Sequence, residues 1–185
     1  MMDESEFAKE GSAGTATIGG VAGNYCPEKV NSGDTDQKKP IVELVNIPNQ
    51  KGQENCPTCK TSKGITNSSS TQSYDDFFSN QEKAELEQVA KDNPDLKCMF
   101  PDADARYKVI GGPANRQARK RYETAKKKAE LKGEYHHPMP IKLGGCPIHQ
   151  KLVKKPDDKK DLAAVNDVDD KITEIYNKAI KRHTS

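Results

Sequence analysis

The last part of the chain carries its clearest hydrophobic periodicity. Apolar residues recur there at steps of three and four, the spacing that lines one face of an α-helix, at Leu162, Val165, Val168, Ile172, Ile175, Tyr176 and Ala179. Asp157 or Asp158 is placed to cap the start of this helix. A helix with one apolar face needs other elements to cover that face. Any fold of this chain must therefore supply a core for its final helix.

The composition limits how large that core can be. Of 185 residues, 32% are hydrophobic and 31% charged, tryptophan is absent, and the mean hydropathy is −0.95. We expect one compact domain together with loosely packed sequence. There is no run of about 18 apolar residues, the length a membrane helix needs, and the acidic start of the chain is unlike a secretory signal.

The order of patterns predicts an α+β fold. Residues 1–35 read as a flexible linker, 41–47 as one strand, and 49–72 as a loop, so that 1–78 forms an irregular N-terminal region. Residues 79–185 are expected to form the main domain. It begins with a helix from Ser79 or Asn80 to about Lys91 and a second helix that starts at Pro113 and ends before Gly133. Two β segments, 135–143 and 149–155, then precede the final helix.

Charge divides the chain unequally. Residues 1–105 carry 10 Lys and Arg against 18 Asp and Glu, whereas residues 106–185 carry 20 against 10. The second helix concentrates basic side chains around a stripe of alanines, which favours contact with nucleic-acid phosphates, although a solvated helix face has a similar composition. The candidate phosphate contacts are Arg116, Arg119, Arg121, Lys126, Lys127 and Lys128.

Three of the four histidines fall close together, at His136, His137 and His149. Neighbouring side chains of a strand point to opposite faces, so His136 and His137 cannot both enter one core. Imidazole suits both metal binding and proton transfer near neutral pH. The simpler interpretation is a pair of partly exposed strand histidines.

The surrounding sequence, EYHHPMPIKLGG at 134–145 and PIHQKLV at 147–153, resembles the His-Me finger nucleases of the HNH/endonuclease VII superfamily. Within that superfamily it is most similar to the GHH-like toxin domains at the C-termini of bacterial polymorphic toxins and type VI secretion effectors. The resemblance implies a small ββα-metal core over about 134–183. It also implies that His137 is the general base, that His136 is a metal ligand, and that His149 is a second ligand or a phosphate contact.

One position departs from that family pattern. Many relatives have Asn directly before the Leu-Val of the second strand, where this chain has Lys151. The remaining ligand is therefore assigned to Asp157, with Asp158 and Asn166 as alternatives, although an aspartate there is equally explained as a helix cap. The expected ion is Mg²⁺, while histidine ligands also suit Zn²⁺, Mn²⁺ or Ni²⁺.

The resemblance implies a function as well as a fold. It implies a metal-dependent, weakly sequence-selective DNase that acts as an antibacterial toxin, is delivered by a contact-dependent route and works in the cytoplasm of the target cell. The producing cell would hold it in an inactive complex with an acidic immunity protein. Two alternatives are a non-catalytic, zinc-organised module that binds nucleic acid and an RNase of the same fold.

Five cysteines suggest no regular disulfide framework and favour a reducing site of action. Cys56-Pro-Thr-Cys59 could give two ligands to structural zinc, but zinc needs four, and no second Cys-x-x-Cys pair is present. Cys26, Cys98 or a histidine would have to complete such a site, and a disulfide or two free thiols are the alternatives. We interpret Cys146 as a small buried side chain in a turn, with a Cys-His nucleophile as the alternative.

Overall fold

The computed structural model describes residues 41–62, 70–101 and 104–185, so the predicted linker over residues 1–35 lies outside the described residues. The helices are α1 (Pro57–Ser62), α2 (Tyr74–Phe77), α3 (Asn80–Asp92), α4 (Gly112–Lys128) and α5 (Lys159–Thr184). The strands are β1 (Glu43–Val45), β2 (Tyr135–His136) and β3 (Leu152–Lys154), and 3₁₀ turns occur at Gln53–Asn55, Pro94–Met99 and Ile141–Leu143. The predicted α+β class is confirmed.

The three strands form one small antiparallel sheet in the order β1-β3-β2. Val153 at the middle of β3 pairs with Leu44 on one side and with His136 on the other. The strand predicted over 41–47 is therefore present. Because it pairs with β3, packed structure begins well before the predicted boundary at residue 79.

The β segments are shorter than predicted. Residues 135–143 form only the two-residue strand β2 before the chain leaves the sheet. Pro138 and Pro140 lack the N–H group that a strand ladder requires. The Pro140 carbonyl instead accepts hydrogen bonds from the backbone of Leu143 and Gly145, which closes a 3₁₀ turn.

The main core lies between α3, α5 and one face of the sheet. The predicted apolar stripe of α5 is buried from Val165 to Ala179, and Asp158 caps the helix by accepting from the backbone N–H groups of Lys160 and Asp161. Helix α3 begins with a capping box, in which the Ser79 hydroxyl and the Glu82 carboxylate each accept the other residue's backbone N–H. Both predicted helix starts are therefore confirmed.

Helix α4 packs on the opposite face of the sheet. Consecutive strand residues point to opposite faces, and Val153 belongs to the main core whereas Leu152 packs with Tyr122 and Ala125 of α4. None of the described helices is long and apolar enough to cross a membrane. The order β2, β3, α5 matches the predicted ββα sequence of elements, and a metal ion bound within that core remains a prediction.

Candidate metal centre and cationic helix

Two distant loops bring four metal-binding side chains together. Cys56 and Cys59 lie at the start of α1, while Cys146 and His149 lie between the Ile141–Leu143 turn and β3. Their ligand atoms all lie within 4.8 Å of one another. The Sγ atoms of Cys56 and Cys146 are 3.8 Å apart, and Nδ1 of His149 is 3.4 Å from the Sγ atoms of both Cys59 and Cys146. We call these four residues the Cys₃His cluster, and the set could hold a metal ion.

The imidazole of His149 is oriented as a metal ligand would be. Its Nδ1 faces the sulfur atoms, and its Nε2 is 3.3 Å from the backbone carbonyl oxygen of Lys51. A carbonyl only accepts, so this contact places the proton on Nε2 and leaves the Nδ1 lone pair directed into the cluster. Ligand histidines commonly use their second nitrogen in this way.

The three thiols of the cluster are buried and unoxidised. Burial acts to raise the pKa of Cys56, but the hydrogen bond from the backbone of Cys59 and the contacts with the other side chains of the cluster outweigh it and bring the pKa to about 6. Burial and the neighbouring thiols Cys146 and Cys56 raise the pKa of Cys59, and burial also raises that of Cys146. Three thiolates can therefore coexist here only when a cation balances their charge.

The loop that carries Cys146 is fixed by backbone contacts. Gln150 donates from Nε2 to the carbonyls of Met139 and Cys146 and accepts from the Met139 backbone N–H. The backbone at Gly145 passes close to the Met139 carbonyl. A side chain at Gly145 would collide with that carbonyl, so only glycine fits at this position. The Gly-Gly turn thus sets the position from which Cys146 enters the cluster.

The metal ligands predicted from the family resemblance do not converge. Among the described residues, the Cys₃His cluster is the one group of three or more His, Cys, Asp or Glu side chains with mutually close ligand atoms. His149 belongs to that cluster, whereas Asp157 is exposed and lies 3.5 Å from Lys154. His136, His149 and Asp157 therefore do not form the predicted site, and these residues do not fit a bound Mg²⁺. Asp158 is occupied as the helix cap, and the amide oxygen of Asn166 accepts from Lys155.

His136 instead ties the sheet to two other elements. The ring is buried, with Nδ1 2.8 Å from the Asp169 carboxylate of α5 and Nε2 2.7 Å from the Met99 carbonyl oxygen. Both partners accept hydrogen bonds, so the ring satisfies both when it carries a proton on each nitrogen. Lys155 lies 2.7 Å from the second oxygen of Asp169. Burial alone would raise the pKa of Asp169, but its contacts with His136 and Lys155 outweigh burial and hold the pKa at about 2.

His137 points to the other face of the sheet, as strand geometry requires. Its ring meets the Tyr122 ring of α4 edge to face at 4.6 Å, and its Nε2 is 3.5 Å from the Pro147 carbonyl oxygen beside Cys146. Desolvation, together with the neighbouring His136 and then the positive charge of Arg119, outweighs the contact with the Pro147 carbonyl and lowers the pKa of His137 to about 4. The imidazole is therefore neutral at pH 7. With the proton on Nε2, Nδ1 is left as a proton acceptor.

Helix α4 exposes positive charge that the described chain does not neutralise. Five of the six predicted phosphate contacts are exposed and form no ion pair with any described residue: Arg116, Arg119, Arg121, Lys127 and Lys128. Lys126 differs, because its amine donates to the Gly133 carbonyl and lies 5.3 Å from the centre of the Tyr135 ring. The five exposed residues therefore form the predicted cationic surface, whereas the Lys126 amine is already in contact with other parts of the chain.

A search with the whole sequence finds no matching protein-family model, no matching curated protein and no matching solved structure.

The sequence does carry one signal for the Cys₃His cluster. Cys146-Pro-Ile-His149 repeats the spacing and the proline of Cys56-Pro-Thr-Cys59. A pattern of two Cys-x-x-Cys pairs excludes this segment because its last ligand is a histidine, which binds zinc equally well. Cys146 is buried, as predicted, but it lies within the cluster. Cys98 is buried and takes part in a disulfide.

Proposed function

We propose that this chain is a zinc-organised nuclease domain that binds DNA through α4 and hydrolyses phosphodiester bonds with His137 as general base. The observation that carries the proposal is the position of His137. Its neutral imidazole lies between the loop of the Cys₃His cluster and the exposed cationic helix. Phosphodiester hydrolysis needs a base that accepts a proton from water and, beside it, cations that hold the phosphate and stabilise its developing charge.

The spacing of the Cys₃His cluster supports zinc as its ion. A tetrahedral ion with bonds of about 2.3 Å to sulfur and 2.0 Å to nitrogen separates its ligands by about 3.8 Å (S to S) and 3.5 Å (S to N). The observed separations are 3.8 Å between two sulfurs and 3.4 Å between nitrogen and sulfur. Thiolates are poor ligands for Mg²⁺, which prefers oxygen. Four protein ligands also leave zinc no open position, so its role here is structural.

DNA binding is supported by the unpaired charge of α4. Lys and Arg side chains that have no carboxylate partner are free to neutralise phosphates and to displace the counterions of DNA. Contacts of this kind fix the position of the duplex but do not read its sequence. We therefore propose weak sequence selectivity.

The proposed chemistry uses His137 to activate water. Nδ1 accepts a proton from a water molecule, whose oxygen forms a bond to phosphorus as the bond from phosphorus to the leaving oxygen breaks. The leaving oxygen takes a proton from solvent, and nearby cations stabilise the charge that builds on the phosphoryl oxygens. A bound phosphodiester would also raise the pKa of His137, because an adjacent negative charge favours the protonated ring.

The biological setting proposed is that of an antibacterial toxin. It is supported by the family resemblance and by the charge of residues 106–185, which carry 20 basic against 10 acidic side chains. An acidic immunity protein would complement that surface in the producing cell. Contact-dependent delivery to the cytoplasm of a target cell belongs to the same proposal.

Nicking of supercoiled plasmid by the purified, zinc-loaded protein tests the proposal. We expect nicked and linear DNA from the wild-type protein, measured with and without added Mg²⁺ or Mn²⁺ so that any need for a second ion is seen. Total RNA serves as the parallel substrate and distinguishes a DNase from an RNase.

A second candidate function is favoured by the same cluster and helix. A zinc-organised module that only binds nucleic acid would retain plasmid in a gel shift without cutting it. If plasmid is retained but not cut in the presence of several divalent ions, the chain is a nucleic-acid-binding module and the nuclease proposal is wrong.

A further inference from the structure

Helix α4 stands out from the body of the protein. Of its 17 residues, only Tyr122 and Ala125 are buried, whereas α5 buries six residues along its length. The other residues that pack beside these two, Ala118 and Ala129, are small and only partly buried. The helix therefore rests on the sheet through a narrow stripe and exposes the rest of its circumference.

Cations lie on both sides of that stripe. Successive residues are about 100° apart around a helix axis, so Arg119 and Arg121 fall on opposite sides of α4 with the buried stripe between them. By the same spacing, Arg116 falls on the side of Arg119, and Lys128 falls on the side of Arg121. All four side chains are exposed. Each side of the helix thus offers two cations to a partner.

The dimensions of this surface match the major groove of B-form DNA. A helix with its side chains is about 10–12 Å across. The major groove is about 12 Å wide and has a phosphate strand along each wall. From Arg116 to Lys128 the helix rises by about 18 Å, which is close to the length of about five base pairs. A helix with cations on both sides contacts phosphates with both sides at once when it lies between the two strands.

Other forms of nucleic acid fit this surface less well. The major groove of A-form RNA is too deep and narrow for side chains to enter. Single strands are bound by stacking their bases on exposed aromatic rings. The one aromatic residue of α4, Tyr122, is buried against the sheet instead. The surface therefore favours a B-form duplex.

We propose that α4 lies in the major groove of B-form duplex DNA, with Arg116 and Arg119 against one phosphate strand and Arg121 and Lys128 against the other. This mode of binding rests on the DNA binding of the proposed function and specifies the class of substrate and the groove that is occupied. Phosphate contacts dominate the arrangement, in agreement with weak sequence selectivity.

Dimethyl sulfate footprinting of a DNA duplex in complex with the zinc-loaded protein tests the groove. The reagent methylates guanine N7 in the major groove and adenine N3 in the minor groove. We expect guanine N7 to be protected over about five base pairs while adenine N3 keeps its reactivity. A sample without the reagent corrects for cleavage by the protein itself.

The footprint and the cleavage assay fail independently. A complex in which guanine N7 stays reactive would overturn the groove assignment even if the DNA is cut. Protection of guanine N7 without any cutting would support the groove assignment and contradict the nuclease proposal. A protein that binds no DNA would overturn both.

The salt dependence of DNA binding tests whether both sides of α4 are used. R119Q and R121Q should each reduce the slope of log K against log salt by about one, because each removes one phosphate contact. K97Q is the matched control and should leave the slope unchanged. Lys97 is exposed in the Pro94–Met99 turn, which packs on the main core, and forms no ion pair with any described residue. An unchanged slope for either R119Q or R121Q would contradict contact with two strands.

Discussion

Replacing Asp169 with Asn removes the carboxylate at the centre of the contacts that join α5 to the sheet. In the folded protein this carboxylate contacts both His136 and Lys155, and its side chain is 22% exposed. The pKa of Asp169 falls from 3.8 to about 2, which corresponds to about 2 kcal/mol of stabilisation at neutral pH. Loss of the carboxylate also removes the shorter of the two ion pairs of the buried Lys155, which keeps only Glu134 at 3.9 Å and the amide oxygen of Asn166. We therefore expect D169N to lower the free energy of unfolding by about 2–4 kcal/mol at pH 7.

Urea unfolding of the zinc-loaded protein measures this difference. Because the folded pKa is lowered, the stabilisation is fully present above the unfolded pKa of about 4 and is lost as the pH falls toward 2. The difference in the free energy of unfolding between the wild-type protein and D169N should therefore become smaller as the pH falls from about 4 toward 2. D167N is the matched control, since Asp167 lies on the exposed side of the same helix and, among the described residues, pairs only with Lys171. If D169N at pH 7 lowers the free energy of unfolding no more than D167N does, the Asp169 carboxylate does not stabilise the fold.

Three further predictions concern the metal, the helix and the base. The purified protein should contain one zinc ion per chain, and C146S should lose it, as measured by elemental analysis and chelator release. Because the ligands must lose protons to bind it, zinc affinity should rise with pH, and pH-independent binding would contradict the assignment. For DNA binding, each of R116Q and R121Q should reduce the slope of log K against log salt by about one, irrespective of the DNA sequence. An unchanged slope would exclude a phosphate contact. The rate constant kcat/KM should rise as the pH passes about 4, where free His137 loses its proton, and then level off toward pH 7. A rise centred near pH 6.5 would instead indicate a solvated histidine.

The helices were predicted well because their signals are local. The apolar stripe of α5, the cap at Asp158 and the capping box at Ser79 each depend on residues within one or two turns. The placement of the two adjacent histidines on opposite faces also followed from strand geometry, since His136 enters the core and His137 faces α4.

The Cys₃His cluster could not be assembled by the same reasoning. Its two halves are separated by 90 residues, and nothing in the local pattern says that α1 returns to the loop before β3. Likewise, His136 was assigned to a metal because its true partners, Met99 and Asp169, are distant in sequence. Contacts of this kind are decided by how the sheet and helices pack, which periodicity does not specify.

Single-turnover DNA cleavage by H137A tests whether His137 is the base in phosphodiester hydrolysis. The comparison is made with zinc content, unfolding free energy and DNA affinity shown to equal those of the wild type. We expect cleavage of bound DNA to slow by about 100-fold or more, the usual contribution of a general base. Cleavage by H137A at the wild-type rate, or no cleavage by the wild-type protein on either DNA or RNA, would contradict it.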